Sequence, residues 1–470
     1  MQLSAAWPSG STRSAERANG SPRDRERTAA GSAKPTAAIG PRRSPGAPSG
    51  SSTAAARSIR GKLGAAACAL LASAAPRGAP AAEPAATNQV DLTSLIYGEA
   101  QRVTVVEPNA RFTRLYPDGE SLYGEVGLDV ITGASPSGAV PTGKVQTITT
   151  ASGRVVTRAA SEIPTSPFSD TRVAVDGGWV KPFWLLTPTL TVHFSREKDY
   201  QSLGATGKLS FDLPDRLTTL TGGGGYNQDE VFPSGGITLG LADPTLPETS
   251  LGKSRSKRVV NGIAGVSRVL TRRWLVGVTG SYTSEQGYLT EPYKVLSLVD
   301  PLTGLPTAER TESRPTSRSR FSVLGSSVYH FDEDVLHLSY RYYGDDWSIR
   351  SHTVDLAYRA ELGGSVYLEP HLRYYTQSAA SFFRFGLVDG EPLPEFATSD
   401  YRVGPLDSVT VGATLGFRVP HLAGEWSARA EYLGQFPDGH PADAIGIERT
   451  YDLYPVMNIG SLVLTYEIKF

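Results

Sequence analysis

Ser408-Val409-Thr410-Val411-Gly412-Ala413-Thr414-Leu415-Gly416-Phe417-Arg418-Val419 is the stretch whose reading decides the fold. Val409, Val411, Ala413, Leu415, Phe417 and Val419 fall on one face of an extended chain. Ser408, Thr410, Gly412, Thr414, Gly416 and Arg418 fall on the other. A period of two marks a β-strand whose faces meet different surroundings. Strands of soluble sandwiches run to about five or six residues. This one is about twice as long, as a tilted strand crossing a bilayer must be.

The same texture holds from about Val90 to the end, in segments of roughly ten to fourteen residues. Trp426, Ala428, Ala430, Tyr432 and Phe436 alternate with Ser427, Arg429, Glu431 and Gln435. Leu203, Ala205, Gly207, Leu209 and Phe211 alternate with Gly204, Thr206, Lys208 and Ser210. Connections alternate too. Short ones fall at Tyr116-Pro117-Asp118-Gly119, Leu213-Pro214-Asp215-Arg216, Thr271-Arg272-Arg273, Asp332-Glu333-Asp334, Leu362-Gly363-Gly364 and near Ala423-Gly424. Long ones, rich in Pro, Gly, Ser and Thr, fall near 133–170, 230–257, 287–317, 378–406 and 437–456. A tight hairpin at Gly344-Asp345-Asp346-Trp347 is an exception on the long side. This asymmetry belongs to outer-membrane barrels, and counting up and down predicts an all-β, antiparallel transmembrane barrel of about sixteen strands, within 14–18.

Composition agrees. The chain has 470 residues and is 39% hydrophobic, with 46 Lys+Arg against 47 Asp+Glu. That balance offers no basic surplus for nucleic acid. Gly (49) and Tyr (21) are plentiful while Met (2) is scarce, which favours strands and turns over a helix bundle. Residues 1–56 are low-complexity Ser, Arg, Ala, Pro and Gly, too poor in apolar surface to fold, and are either a disordered extension or a start placed too far upstream. Arg57, Arg60 and Lys62, the apolar run Leu63 to Ala75 and Ala79-Pro80-Ala81 then read as a signal peptide over 57–82, with the mature chain starting between Ala82 and Val90. The single cysteine, Cys68, lies inside it. The barrel is expected over 83–470, with too few residues ahead of it for a plug domain.

The chain ends Ser461-Leu462-Val463-Leu464-Thr465-Tyr466-Glu467-Ile468-Lys469-Phe470. A terminal aromatic preceded at alternate positions by apolar residues, notably Tyr466, Ile468 and Phe470, resembles the signal that bacterial barrel-assembly machinery reads in its clients. The physical logic is a last strand that must pair and insert to close the barrel edge.

Several stretches resemble an uncharacterised family of bacterial outer-membrane β-barrels, catalogued as domain of unknown function thirty-five seventy. They include Asp129-Val130-Ile131-Thr132-Gly133-Ala134-Ser135-Pro136, Tyr200-Gln201-Ser202-Leu203-Gly204-Ala205 and Tyr288-Leu289-Thr290-Glu291-Pro292-Tyr293-Lys294-Val295. His337-Leu338-Ser339-Tyr340-Arg341-Tyr342-Tyr343, Arg350-Ser351-His352-Thr353-Val354-Asp355-Leu356 and Leu368-Glu369-Pro370-His371-Leu372-Arg373-Tyr374-Tyr375 match as well. The resemblance covers nearly everything after the signal and implies fold and location, not activity.

Hairpins centred near Asp346 and Gly363 would turn His337, Arg341, Asp355, Arg359, Glu369, His371 and Arg373 into the lumen. That register sets His337, Asp355 and His371 directly opposite one another. Two histidines and a carboxylate are weak candidates for a metal site; the plainer reading is a luminal charge ladder. His352 on the lipid side lacks a serine and an orienting acid on its own face. No G-x-S-x-G elbow, phosphate loop, paired cysteine or H-E-x-x-H motif occurs, so neither an enzyme nor a cofactor is expected. Gly222 to Gly225 reads as close strand packing. Asp332-Glu333-Asp334 reads as a solvated hairpin tip rather than a calcium loop.

These observations lead to a bacterial outer-membrane barrel, with a porin-like passive channel for ions or small solutes as the first reading. The alternative is a non-conducting structural or docking barrel that presents loops or binds a periplasmic partner, and an outer-membrane enzyme comes last. Expected partners are the lipid bilayer and the barrel-assembly machinery, with homo-oligomerisation left open. A porin would fold a long loop inward, and 133–170 and 287–317 are the candidates.

Overall fold

In the computed structural model of the protein, Ser408 to Arg418 lies within one strand of a closed antiparallel barrel. The structure describes residues 86–470 except 101, 150–154, 247–248, 419–423, 438 and 442–443. The expected low-complexity segment 1–56 and signal 57–82, with Cys68, lie outside the described residues, as do Val419 and Ala423.

Sixteen strands close the wall, each paired with its sequence neighbour in the barrel. They are β1 (Thr87–Glu99), β2 (Val103–Leu115), β3 (Ser121–Pro136), β4 (Thr165–Val180), β5 (Leu186–Arg196), β6 (Tyr200–Asp212), β7 (Thr218–Val231) and β8 (Arg255–Thr271). The other half comprises β9 (Trp274–Gly287), β10 (Ser317–His330), β11 (Val335–Asp345), β12 (Arg350–Glu361), β13 (Val366–Gln377), β14 (Leu406–Arg418), β15 (Glu425–Gln435) and β16 (Asn458–Lys469). β16 pairs with β1 from Gln89↔Lys469 to Glu99↔Ile459, so no sheet edge is left. Beyond the ladder, Asn88 and Phe470 exchange both backbone hydrogen bonds, which places the terminal aromatic at the seam. Tyr466 faces outward there and lies 4.3 Å from Trp426, ring centre to ring centre, while Ile468 stands opposite Val90.

The alternation read from sequence becomes an outside and an inside. Val411, Leu415, Leu203, Leu209, Leu338, Val354 and Leu372 are exposed on the outer wall. Tyr and Phe concentrate outside at the long-loop end, including Tyr226, Tyr282, Phe321, Tyr374 and Tyr432. Trp274, Tyr329, Tyr358, Trp426 and Tyr466 do so at the other end. Two aromatic belts around an apolar band are what a bilayer-spanning barrel carries. The glycine run Gly222 to Gly225 is strand β7, and a Cβ on Gly223 would stand 2.8 Å from the Gly207 carbonyl oxygen of β6.

Hairpin asymmetry is also as expected, with refinements. Long connections span 137–164, 232–254, 288–316, 378–405 and 436–457, all on one rim. That rim also carries tight connections at 100–102 and 197–199 beside the one at 346–349. On the opposite rim a turn at 181–185, built on Pro182-Phe183-Trp184, joins the short connections named from the sequence.

Candidate functional site

Residues facing the lumen are polar along most of the wall. β11 to β13 show the local logic and also a correction. The hairpin centres fall at Trp347 and Gly364, each one residue later than the sequence suggests. Asp345 causes the first shift: its Oδ1 accepts the Ile349 N–H at 2.8 Å, with Ser348 taking the left-handed φ of 74°. Moving a hairpin centre by one residue moves its partners by two, so every face is kept and every row changes.

His337 therefore does not stand opposite Asp355. It pairs with Ala357, which pairs with His371, and it is exposed at the lower end of β11. Asp355 lies between Ser339 and Arg373. The expected trio His337, Asp355 and His371 is not brought together. Arg341 faces Thr353 across β12, and Glu369 faces Thr414 across β14. The Arg359 guanidinium lies 3.6 Å from the Tyr367 ring centre and donates from Nε to Glu361 at 2.8 Å.

The cluster that does form centres on His371, which is buried in the wall. Its Nε2 is 3.1 Å from Asp355 Oδ2, reached diagonally, and its Nδ1 is 2.8 Å from Glu431 Oε1, two strands away. Gly412 makes the second contact possible. It separates His371 from Glu431 in the row, and a Cβ there would stand 2.5 Å from Glu431 Cγ. Arg373 Nε donates to Asp355 at 2.5 Å, and Arg429 Nε lies 3.2 Å from Glu431. Carboxylates only accept, so the geometry is satisfied when both ring nitrogens donate. This is a charge ladder built into the wall.

Above it, the long loops form a cap. Val140 of 137–164, Val299 of 288–316, and Ala444, Tyr451 and Leu453 of 436–457 share one buried core, with Phe385 of 378–405 against it. The first three loops are rooted six, six and four strand positions apart around the wall. Chain rising from three such points can meet only by spanning the mouth. A second core joins Phe382, Phe383 and Val403 to Tyr454, to Trp347 of the tight β11–β12 turn, and to the inward-facing Tyr343 and Tyr375. A third holds Leu296, Leu298, Leu387 and Ala397, with Leu241 of 232–254 beside it. Val295–Val299 pairs antiparallel with Pro306–Thr311 and parallel with Leu387–Val388, adding a small sheet to the cap. Both loops expected as inward folds are in the cap, with three others.

A buried ionic cluster locks two of these loops. Asp400 is 1% exposed and receives Arg314 Nη2 at 2.8 Å and Arg402 Nη2 at 2.6 Å. Arg314 also pairs with Glu312 at 2.7 Å, and Arg402 with Glu291 at 2.9 Å. Lys294, also buried, donates to the Pro136 carbonyl at the top of β3. Burial pushes the Asp400 carboxyl upward, but the Arg402 and Arg314 guanidiniums win and hold it far below the usual range. Glu291 is likewise lowered, Arg402 overcoming burial. Glu312 goes the other way, since burial outweighs Arg314.

The sign for stability follows. Asp400 and Glu291 contribute fully above the unfolded carboxylate values near pH ~4, and that contribution is lost as pH falls through their lowered values. Glu312 opposes them by favouring the folded cap as it protonates. The cap is expected to resist pepsin at about pH 4 and to become cleavable only well below it. Cleavage of 378–405 already at pH 4 would contradict this.

Other predicted features resolve plainly. His352 is exposed on the outer wall, 2.7 Å from the Tyr340 hydroxyl. In the Asp332-Glu333-Asp334 turn, Asp332 pairs with Arg273 and Asp334 accepts from Tyr358, as a hairpin tip would.

A closed sixteen-stranded barrel with belted apolar exterior, polar interior and one elaborated rim has the architecture of outer-membrane barrel proteins. The chain belongs to the family described as protein of unknown function DUF3570, whose model matches residues 60–468. No curated protein matches it. Among solved structures it is similar to a mutant of the ferric enterobactin receptor PfeA from Pseudomonas aeruginosa, at 11% identity and TM-score 0.41, over 82% of this chain and 60% of that one. It is also similar to a bacterial polysaccharide outer membrane secretin, at 8% identity and TM-score 0.42, over 83% and 100%. A third is BamA from Haemophilus ducreyi lacking POTRA domains 1–3, at 10% identity and TM-score 0.37, over 82% and 70%. The chain thus spans about 60% of the length of the receptor.

Proposed function

We propose that the protein is a bacterial outer-membrane barrel whose polar lumen serves as a channel for ions or small solutes, held shut at rest by its loop cap. The observation that carries this reading is the core shared by Val140, Val299 and Leu453, whose loops must cross the mouth to meet. Outer-membrane residence is supported by the wall itself. Each exposed Val or Leu kept in water forgoes about 1.5–3 kcal/mol, and only an apolar solvent satisfies a whole band of them. The polar inner face, from the His371 cluster to the exposed Lys208 of β6, supports an aqueous interior. Ionic locks and apolar cores at one rim favour a gated channel over an open one. A docking barrel is the second reading, favoured by the packed surface that five loops build.

Sidedness tests the proposal. Lys208→Cys, in a Cys68→Ser chain, places a thiol on the lumen wall below the cap. A maleimide too large for general porins is expected to leave it unmodified in intact cells and to label it once the cells are broken. Equal labelling of intact cells would mean that the mouth is open, and the reading would fail.

A further inference from the structure

Arg350 and His352 stand on the wrong face of the wall for a channel lining. Along β12, Arg350, His352, Val354, Leu356 and Tyr358 are exposed and share the outer face, while Ser351 is buried on the inner one. Below the pair the surface is apolar, with Leu338 of β11 and Leu372 of β13 flanking Leu356. Ionisable side chains in a membrane-spanning wall normally face the interior, so an outward pair needs a partner on the lipid side. Both lie at the long-loop end of β12, level with the aromatic belt and therefore with lipid headgroups.

The protein supplies only part of what the pair needs. The Tyr340 hydroxyl lies 2.7 Å from His352 Nδ1, and the Tyr342 ring centre is 5.3 Å from that of the imidazole. With the hydroxyl donating to Nδ1, a neutral ring carries its proton on Nε2. Neither Nε2 nor the Arg350 guanidinium has a hydrogen-bond or ionic partner among the described residues. Carboxylates on the neighbouring turn and strand are engaged elsewhere. Asp346 accepts the Ser319 N–H at 2.9 Å, and Asp407 accepts the Tyr374 hydroxyl at 3.0 Å. Gly344 stands opposite Arg350, and the Phe321 ring leans over it, 2.8 Å from where a Cβ would be. Aromatic rings thus wall the pair on the β10–β11 side.

We propose that Arg350 and His352 bind the phosphate of a phosphorylated lipid in the outer leaflet, whose acyl chains lie against Leu338, Leu356 and Leu372. As residues i and i+2 the two are about 7 Å apart along the strand, a gap that one phosphate fills with a donor on either side. Arg350 gives the charged, forked donor suited to phosphate, and Tyr340 holds the His352 ring so that Nε2 gives the second. The site rests on the wall facing lipid and stands whether or not the barrel conducts.

Bisphosphoryl lipid A is the probe, titrated into the full chain refolded in detergent free of lipopolysaccharide and read by native mass spectrometry. One lipid per chain is expected to stay bound on dilution after the others have left. Arg350→Gln and His352→Gln are each expected to weaken it about tenfold. Fully dephosphorylated lipid A should bind the wild type no better than lipid A binds the double variant. Inorganic phosphate in excess should not displace the lipid, because it lacks the acyl contacts. Arg258→Gln, at an outward arginine of β8 on the same rim, is the control and should bind like the wild type. Heat-modifiable mobility on gels shows that each variant has folded. Equal affinity in the folded Arg350 and His352 variants, equal binding of dephosphorylated lipid, or an equal loss in Arg258→Gln would overturn the site. Displacement by inorganic phosphate would make it a free-anion site and overturn the lipid.

Discussion

Asp400→Ala is expected to open the cap. The substitution leaves Arg314, whose side chain is 9% exposed, and the half-buried Arg402 with only Glu312 and Glu291 as carboxylate partners, so three positive groups, counting the buried Lys294, face two carboxylates. Removing one member of a buried ion pair costs about 3–5 kcal/mol, because the stranded charge keeps its desolvation penalty. In a two-state cap that shift raises the open fraction by roughly two to four orders of magnitude. The barrel wall beneath should be untouched, since Asp400 lies in the 378–405 loop and not in the ladder. Limited trypsin digestion of the folded barrel reads the outcome. Rapid cleavage at Arg384 or Arg402 is expected in Asp400→Ala, with the strands remaining heat-modifiable. A surface control, Asp243→Ala in the exposed turn with Thr245, should digest like the wild type. Identical protection in Asp400→Ala would show that the apolar cores alone hold the cap.

The second large effect lies in the wall. His371→Ala removes the ring that meets both Asp355 and Glu431. Asp355 retains Arg373, but the Glu431 side chain is 2% exposed, its Oε2 already has no donor, and only Arg429 at 3.2 Å would remain beside it. The same stranded-charge argument gives a loss of about 3–5 kcal/mol, here to the barrel as a whole. Urea unfolding of the barrel refolded into vesicles measures it. The double replacement His371→Leu with Glu431→Leu should recover most of the loss, since no buried charge is left uncompensated. A His371→Ala midpoint equal to that of the wild type would mean that lumen water solvates Glu431, and the ladder would then be ornamental.

Faces were legible in the sequence and rows were not. Along β14, β15 and β16 each residue takes the side that alternation assigned it, because a wall between apolar and polar surroundings permits no other phase. Which residue stands opposite which depends on turn geometry. The Asp345 carboxylate closing on Ile349 is a local event that alternation does not encode. His371 was named from the sequence as a lumen-facing residue, yet its shorter contact, with Glu431, required the gap at Gly412 and a strand 60 residues away. The cap was hidden for another reason. Its cores draw single residues, such as Val140, Val299 and Tyr454, from loops whose Pro and Gly content reads as irregular. Two faint signals were present: Glu312-x-Arg314 and Asp400-x-Arg402 put opposite charges two apart inside loops, where the carboxylate of each pair is buried.

Single-channel recording in a planar bilayer tests the central claim most directly, with the refolded wild type and Asp400→Ala compared in the same lipid and salt. A capped polar barrel predicts a wild type that is silent or rarely open and a variant that conducts in large, salt-dependent steps. Steady large conductance from the wild type would contradict the cap as a closure. A variant that digests as an opened cap yet stays silent would contradict the channel.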